Sequence, residues 1–352
     1  MQVIPILIES KSLLRVGGTS VYFDYVSADL PQSKIFINYN GKGYLIPYIP
    51  ATSFKGVLRS TVEVSRRKNG STPSDFEAKV KDFFNELKSG RSVEIFKDYL
   101  KDEIELLISS GILDKRYKEY VNNLDESKLI TLLKAYFDAM GWNYGESCYV
   151  TSDLDRCENL ALIEDEDRKK FREAWNRLTN RENFCKTCIL YGASGLRASV
   201  RFTNFYPIDP FPVRIDRLTH VSIDRRTWAA SPRKLYNEEI IAMGTRFLGF
   251  ALLLKDRYIS QLMEDLKLLS EKAEKMEVTL GARGSVGYGA FSLKFGNFII
   301  ELSEESILGK LRLNFKSSEL NLSTNINKKL SVLKVFYPSY LLSTIEVVEQ
   351  GA

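Results

Sequence analysis

Apolar positions divide the chain into three blocks with different rhythms. Val3, Ile4, Ile6, Leu7 and Ile8 give residues 2–9 the pattern of a central strand. A glycine turn follows at Val16-Gly17-Gly18, and residues 20–45 read as irregular, with Asp29-Leu30-Pro31 in their middle. The stretch Ile46-Pro47-Tyr48-Ile49-Pro50 then reads as a strand end and a rigid turn into a helix that runs to about Lys68, with Thr52 or Ser53 as its N-cap. From Ser74 to about Asn183 the spacing changes to three and four, as in Phe76, Val80, Phe83 and Leu87, or Leu129, Leu132, Leu133 and Tyr136. This is the rhythm of an all-α insertion. Strand patterns return at residues 199–205, 245–254 and 291–301, separated by a long basic stretch at 206–245 and a helical pattern at about 257–275.

The resulting order is strand, helix, strand, strand, helix, strand, with inserts in the connections. That is the split βαβ arrangement of an α+β, ferredoxin-like fold, which is also the scaffold of RNA-recognition motifs. The aromatic pattern with which such motifs stack bases is missing from the third strand. The expected organisation is a core of residues 1–68 and 186–310, a helical insertion at 74–183, and a C-terminal extension at 311–352 without a usable motif.

Composition changes this picture little. The 352 residues are 44% apolar and 27% charged, ordinary for a globular protein, and no run of about 18 apolar residues predicts a membrane span. The first ten residues lack a basic region and a small-residue cleavage site, so a strand, not a signal peptide, is expected there. The net charge of +5 permits a polyanionic partner without requiring one. Four cysteines and a single histidine, His220, argue for a reducing, cytoplasmic setting and against a disulfide scaffold.

Four groups of residues could carry chemistry. Lys55 and Arg59 share one face near a helix N-terminus, with Gly56 between them, which suits a phosphate or, equally, an ordinary solvated surface. The loop Leu280-Gly281-Ala282-Arg283-Gly284-Ser285-Val286-Gly287-Tyr288-Gly289 has four glycines in nine residues and an embedded arginine, so its amides can close on an anion. It enters a strand instead of following one into a helix, so it is not a dinucleotide fingerprint, and no Walker A motif is present. The basic stretch holds Arg225 and Arg226 beside Trp228, a combination that can follow a nucleic-acid backbone and wedge against bases, or form a solvated hairpin arm. Cys185-x-x-Cys188, with Cys148 and Cys157, could close a structural zinc site; four reduced, buried thiols are the alternative. Asp24 and Asp29 precede the phosphate-type helix. A carboxylate there can hold a divalent metal such as magnesium or help activate a 2′-hydroxyl, although a loop aspartate is by default a turn former.

Five blocks in this order resemble the RAMP superfamily of CRISPR-Cas proteins: Val16-Gly17-Gly18; Asp29-Leu30-Pro31; Ile49-Pro50-Ala51-Thr52-Ser53-Phe54-Lys55-Gly56-Val57-Leu58-Arg59; Cys185-Lys186-Thr187-Cys188-Ile189-Leu190-Tyr191-Gly192; and Gly284-Ser285-Val286-Gly287-Tyr288-Gly289. More narrowly the chain is similar to the backbone subunit of type III (Csm/Cmr) effector complexes. The resemblance implies an RRM-like palm and a β-hairpin thumb drawn from 206–245 that kinks a guide–target duplex. It also implies subunits stacked along a crRNA beside other effector subunits. Ser53, Lys55, Arg59, Gly17, Gly18 and the loop Arg283, Gly284, Ser285, Gly287, Tyr288 and Gly289 would hold crRNA, and Asp29 would cleave target RNA as a metal-dependent endonuclease. The insertion is larger than such subunits lead one to expect, and His220 falls in the thumb although the family often supplies a histidine to the zinc site. A non-catalytic structural or end-capping subunit, and more remotely a stand-alone precursor-crRNA endonuclease with His220 as base, are the other readings.

Overall fold

The protein is described by a computed structural model, which covers residues 2–17, 28–39, 42–68, 73–87, 91–122, 124–142, 145–208, 213, 215–296, 299–302, 336–342 and 346–349. Gly18, Asp24, Arg214 and all of the 311–335 stretch lie outside the described residues. The chain forms two compact units, Met1–Leu58 with Val200–Ala352, and Arg59–Ser199.

The first unit is built on β1 (Gln2–Ser10), which lies between two antiparallel neighbours. After it come the hairpin β2 (Lys34–Tyr39) and β3 (Lys42–Pro47) and the helix α1 (Ala51–Lys68), which runs on into the second unit. The chain returns through β4 (Val200–Phe202), β5 (Tyr206–Pro207), the long hairpin β6 (Ile215–Ile223) and β7 (Ala230–Ile241), and then β8 (Arg246–Leu253). The main path of the sheet runs β4-β8-β1-β9, with β9 (Phe291–Phe295) at the far edge and the helix Ile259–Glu274 between β8 and β9 in sequence. In order of the core strands this is 2-3-1-4, all antiparallel, the arrangement that defines a ferredoxin-like α+β fold.

Both faces of the sheet are covered. Along β8, Gly249 opens one face to the ring of Phe205, which lies within 2.5 Å of where a Cβ would stand, and Phe54 of α1 packs on that ring at 4.6 Å. The opposite face, through Leu7, Leu248 and Phe250, is covered by Tyr337, Leu341 and Leu342. Tyr337 is pinned there by its hydroxyl, which donates to the carbonyls of Leu248 and Asn204. The face on which an RNA-recognition motif stacks bases is therefore occupied by the protein's own residues.

Two local expectations are corrected. Residues 34–39 and 42–47 are two regular strands paired antiparallel, with Phe36 opposite Leu45, and not an irregular approach to the helix. Helix α1 begins at Ala51, one residue before the expected cap. The Asn204 side chain accepts from the Ala51 amide at 3.0 Å, and the Pro50 carbonyl accepts from Ser53 and Phe54. Thr52 and Ser53 thus lie inside the first turn. A distant asparagine supplies the cap that a local hydroxyl was expected to supply.

The second unit is helical: α2 (Phe76–Leu87), α3 (Ser92–Ser109), α4 (Tyr117–Asn122), α5 (Glu126–Met140), α6 (Glu166–Leu178) and α7 (Lys186–Tyr191). The three-and-four spacing of the sequence puts Phe83, Phe96, Phe137 and Phe171 around Trp175, which is fully buried. Each such ring buried stabilises by about 1.5–3 kcal/mol relative to exposure. The acidic run before α6 includes a cap: Asp165 accepts from the Asp167 and Arg168 amides.

Candidate nucleic-acid interface and metal centre

In the sheet unit, the β6–β7 hairpin organises most of the candidate residues. At its base Glu238 is fully buried. Its carboxylate lies 2.9 Å from Arg283 Nε, 3.8 Å from Arg15 Nε and 2.6 Å from His220 Nε2, and accepts from the Tyr288 hydroxyl at 3.3 Å. His220 stacks on Tyr236 at 5.1 Å, and the Tyr236 hydroxyl accepts from Arg283. Burial, followed by the Glu238 charge, raises the Tyr288 phenol above its ordinary value. Arg283, Tyr288 and His220 are thus joined to one buried acid.

The glycine loop is stitched to the stretch that follows β1. Gly289 donates to Leu13, Ala282 donates to Arg15, and a Cβ on Gly281 would stand 2.2 Å from the Arg15 carbonyl. Gly287, at φ +89°, has open space where its Cβ would be. Of the loop glycines, Gly281 serves close packing, whereas Gly287 presents bare backbone outward. Ser285 lies in the short turn Gly284–Val286 beside it.

Asp29 is exposed, and its Oδ2 accepts from the Asn237 amide of β7 at 2.8 Å. The flanking backbone continues the pairing, Leu30 donating to Asn237 and Glu239 donating to Leu30. Gln32 closes the other side by accepting from Val16, and Gly17 bridges to Gln32. The Asp29 loop is consequently fixed to β7, and the second carboxylate oxygen has no partner among the described residues.

The hairpin tip is the reverse of its base. Asp224 accepts from the Arg226 and Thr227 amides and folds a tight turn, in which Trp228 takes a left-handed φ of 53°. Trp228 is 83% exposed, Arg225 and Arg226 are exposed beside it, and Val221, Ile223 and Leu235 add apolar surface. A tryptophan held in that conformation costs about 1–2 kcal/mol relative to glycine. Lys55 lies half-buried on α1 next to Gly56, whose Cβ position is open, and Ser53 lies in the turn before it.

In the helical unit, Cys148, Cys157, Cys185 and Cys188 converge. All are buried, and their four sulfurs lie within 4.8 Å of one another. A tetrahedral zinc with Zn–S bonds of about 2.3 Å sets sulfurs about 3.8 Å apart, so the donor set fits that metal. The Cys185 amide donates to Cys157 Sγ and the Cys188 amide to Cys185 Sγ. Hydrogen bonds among the thiols, chiefly from Cys157, lower Cys148 to about 7, and those led by Cys148 lower Cys185. The same contacts, led by Cys148, push Cys157 and Cys188 up. A cavity of about 190 Å³ lined by Cys148, Cys157, Cys188, Arg156 and Glu158 opens onto the cluster.

Arg59 belongs to this unit and is turned toward the cysteines. It donates from Nε to Glu63 (2.7 Å), from Nη1 to the Gly192 carbonyl (2.7 Å) and from Nη2 to Cys188 Sγ (3.3 Å). Burial works against its charge, but the Glu63 bond and the Cys188 sulfur outweigh it and raise the pKa. Sequence reasoning missed Glu238, Arg15 and Asn204, none of which sits in a recognisable motif.

A family model described as "RAMP superfamily" matches residues 8–292. No curated protein matches. Among solved structures, the chain is 13% identical to one titled "Cryo-EM structure of the Type III-B Cmr-beta bound to cognate target RNA", with a TM-score of 0.38, over 83% of this chain and 58% of that one. It is 13% identical, with a TM-score of 0.39, to a chain of a structure titled "Type IV-B CRISPR Complex", over 94% of this chain and 99% of that one. The chain thus spans little more than half of the first of these. No helix among the described residues is long and apolar enough to cross a membrane.

Proposed function

We propose, from the premise that the chain belongs to the RAMP superfamily, that it is a crRNA-binding backbone subunit of a CRISPR effector complex of type III character, stacked beside other effector subunits, that positions complementary target RNA and cleaves it. The observation that carries this reading is the β6–β7 hairpin. Its base is locked by buried charge, while its tip presents Arg225, Arg226 and a strained, exposed Trp228. Strain held at an exposed aromatic suits a residue placed for a partner, and a basic aromatic tip suits a nucleic acid. Lys55, Ser53 and the outward face at Gly287 would add backbone grip, with little sequence preference because phosphates carry none.

Cleavage falls to Asp29. The exposed carboxylate is oriented through one oxygen by the Asn237 amide, which fits a magnesium ion that takes one or two carboxylates and completes its shell with water and substrate phosphates. Such an ion would supply charge neutralisation at the phosphate under attack. Asn237 fixes the loop's orientation, and Asp29 contributes the negative charge. The four cysteines would hold a structural zinc, with no part in cleavage.

A second reading keeps the RNA grip without catalysis. It is favoured by the same Asn237–Asp29 bond, which is also what a turn-pinning aspartate makes. Asp29→Ala separates the two. In the assembled complex with magnesium, the first reading expects target cleavage to be lost while assembly and RNA affinity stay unchanged. Cleavage at the wild-type rate would leave the non-catalytic reading standing.

A further inference from the structure

Four thiolates around one divalent cation carry a net charge of about −2. In a centre whose cysteines are 0% to 3% exposed, that charge is costly unless neighbouring groups compensate it. The amides of Cys185 and Cys188 donate to sulfur but bring only dipoles. Arg181 brings a positive charge, yet its guanidinium is bound to Asp155.

Arg59 brings both a charge and a direct contact, through Nη2 to Cys188 Sγ. Its remaining bonds aim it. Nη1 holds the carbonyl of Gly192, the residue that ends α7, while Cys185 and Cys188 lie at the start and middle of that same helix. Nε is held by Glu63 one turn along α1. One guanidinium therefore ties a sulfur to the end of the helix that carries it, with its orientation fixed from a third side.

We infer that Arg59 is an outer-sphere partner of the metal centre, which compensates and positions the Cys188 thiolate, and is not a phosphate ligand. The inference rests on the reading of the four cysteines as a metal site, and it reverses the sequence expectation that paired Arg59 with Lys55 on an RNA-facing surface. To reach a phosphate, the side chain would have to surrender a charge-assisted bond to Glu63, a carbonyl and a sulfur together. Outer-sphere partners of this kind tune metal affinity, and their removal typically costs 10–100-fold.

The test uses the full-length chain as wild type, Arg59→Ala, Arg59→Lys and Glu63→Gln, loaded with cobalt(II) as the probe. Three quantities are read: the metal dissociation constant by chelator competition, the thiolate-to-cobalt charge-transfer band, and affinity for a single-stranded RNA across salt. Arg59→Ala is expected to weaken metal binding about 10–100-fold and shift the band. Arg59→Lys should restore part of both. Glu63→Gln, which keeps an oxygen for the Nε bond but removes the charge behind it, should shift the band by less than Arg59→Ala does. RNA affinity and its salt slope, measured at saturating metal, should not change in any of them. Wild-type metal affinity and band in Arg59→Ala, or a shallower salt slope there, overturns the inference. So does a band shift in Glu63→Gln as large as in Arg59→Ala, since the Glu63 charge and not the Arg59 contact to Cys188 would then set the centre. A wild-type chain that takes up no cobalt overturns the metal reading itself, a result separate from any effect of Arg59.

Discussion

The base and the tip of the β6–β7 hairpin both hold arginine beside an aromatic, yet they are built on opposite principles. At the base, Arg283 and Arg15 meet the buried carboxylate of Glu238, and His220 stacks on Tyr236 against it. At the tip, Arg225, Arg226 and Trp228 are exposed. The contrast teaches that basic composition alone does not mark a nucleic-acid surface. An arginine paired with a buried carboxylate is part of the frame. The tip, by contrast, offers Arg226 only the solvated carboxylate of Asp224 at 3.9 Å, a pair weak enough for an incoming polyanion to displace.

The largest expected effect comes from breaking the base. Glu238→Ala leaves two arginines without their buried counter-charge and should cost about 3–5 kcal/mol of stability. A thermal melt checks it, and for a unit of this size the midpoint should fall by about 6–20 °C, taking about 2–4 °C for each kcal/mol. Glu238→Gln, which keeps the shape and removes the charge, should fall in the same direction by less. A wild-type melt for both would dissolve the contrast.

Trp228 sharpens the comparison because its two effects have opposite signs. Trp228→Gly removes the left-handed strain and should not lower the melting temperature. It should nevertheless weaken RNA binding by about 1–3 kcal/mol for each base no longer stacked. A loss of stability with unchanged RNA affinity would make the tip another structural element.

Legibility in the sequence depends on whether the signal is local. The strand–helix order and the helical insertion can be read because period and length are local properties, as with Phe76, Val80, Phe83 and Leu87. The cysteines are legible because the residue type is scarce and its chemistry narrow; all four converge. Glu238 is not. Within Asn237-Glu238-Glu239-Ile240 it reads as a strand's solvent-facing acid, and nothing near it announces that Arg15 and Arg283 arrive from distant parts of the chain. For Arg59, the spacing from Lys55 fixes a helix face but not what that face meets. The cap of α1 escapes for the same reason, since a better acceptor, Asn204, comes from a distant part of the sequence.

The most direct test of the account is the salt dependence of single-stranded RNA affinity for wild type, Arg225→Ala/Arg226→Ala and Arg283→Ala. If the tip arginines meet phosphates, the double variant should flatten the slope of log affinity against log salt by about 1.4, at about 0.7 for each phosphate of a single strand that is no longer neutralised. Arg283→Ala should keep the wild-type slope and lose stability instead. An unchanged slope in the double variant, or a flattened one in Arg283→Ala, would contradict the division between frame and grip.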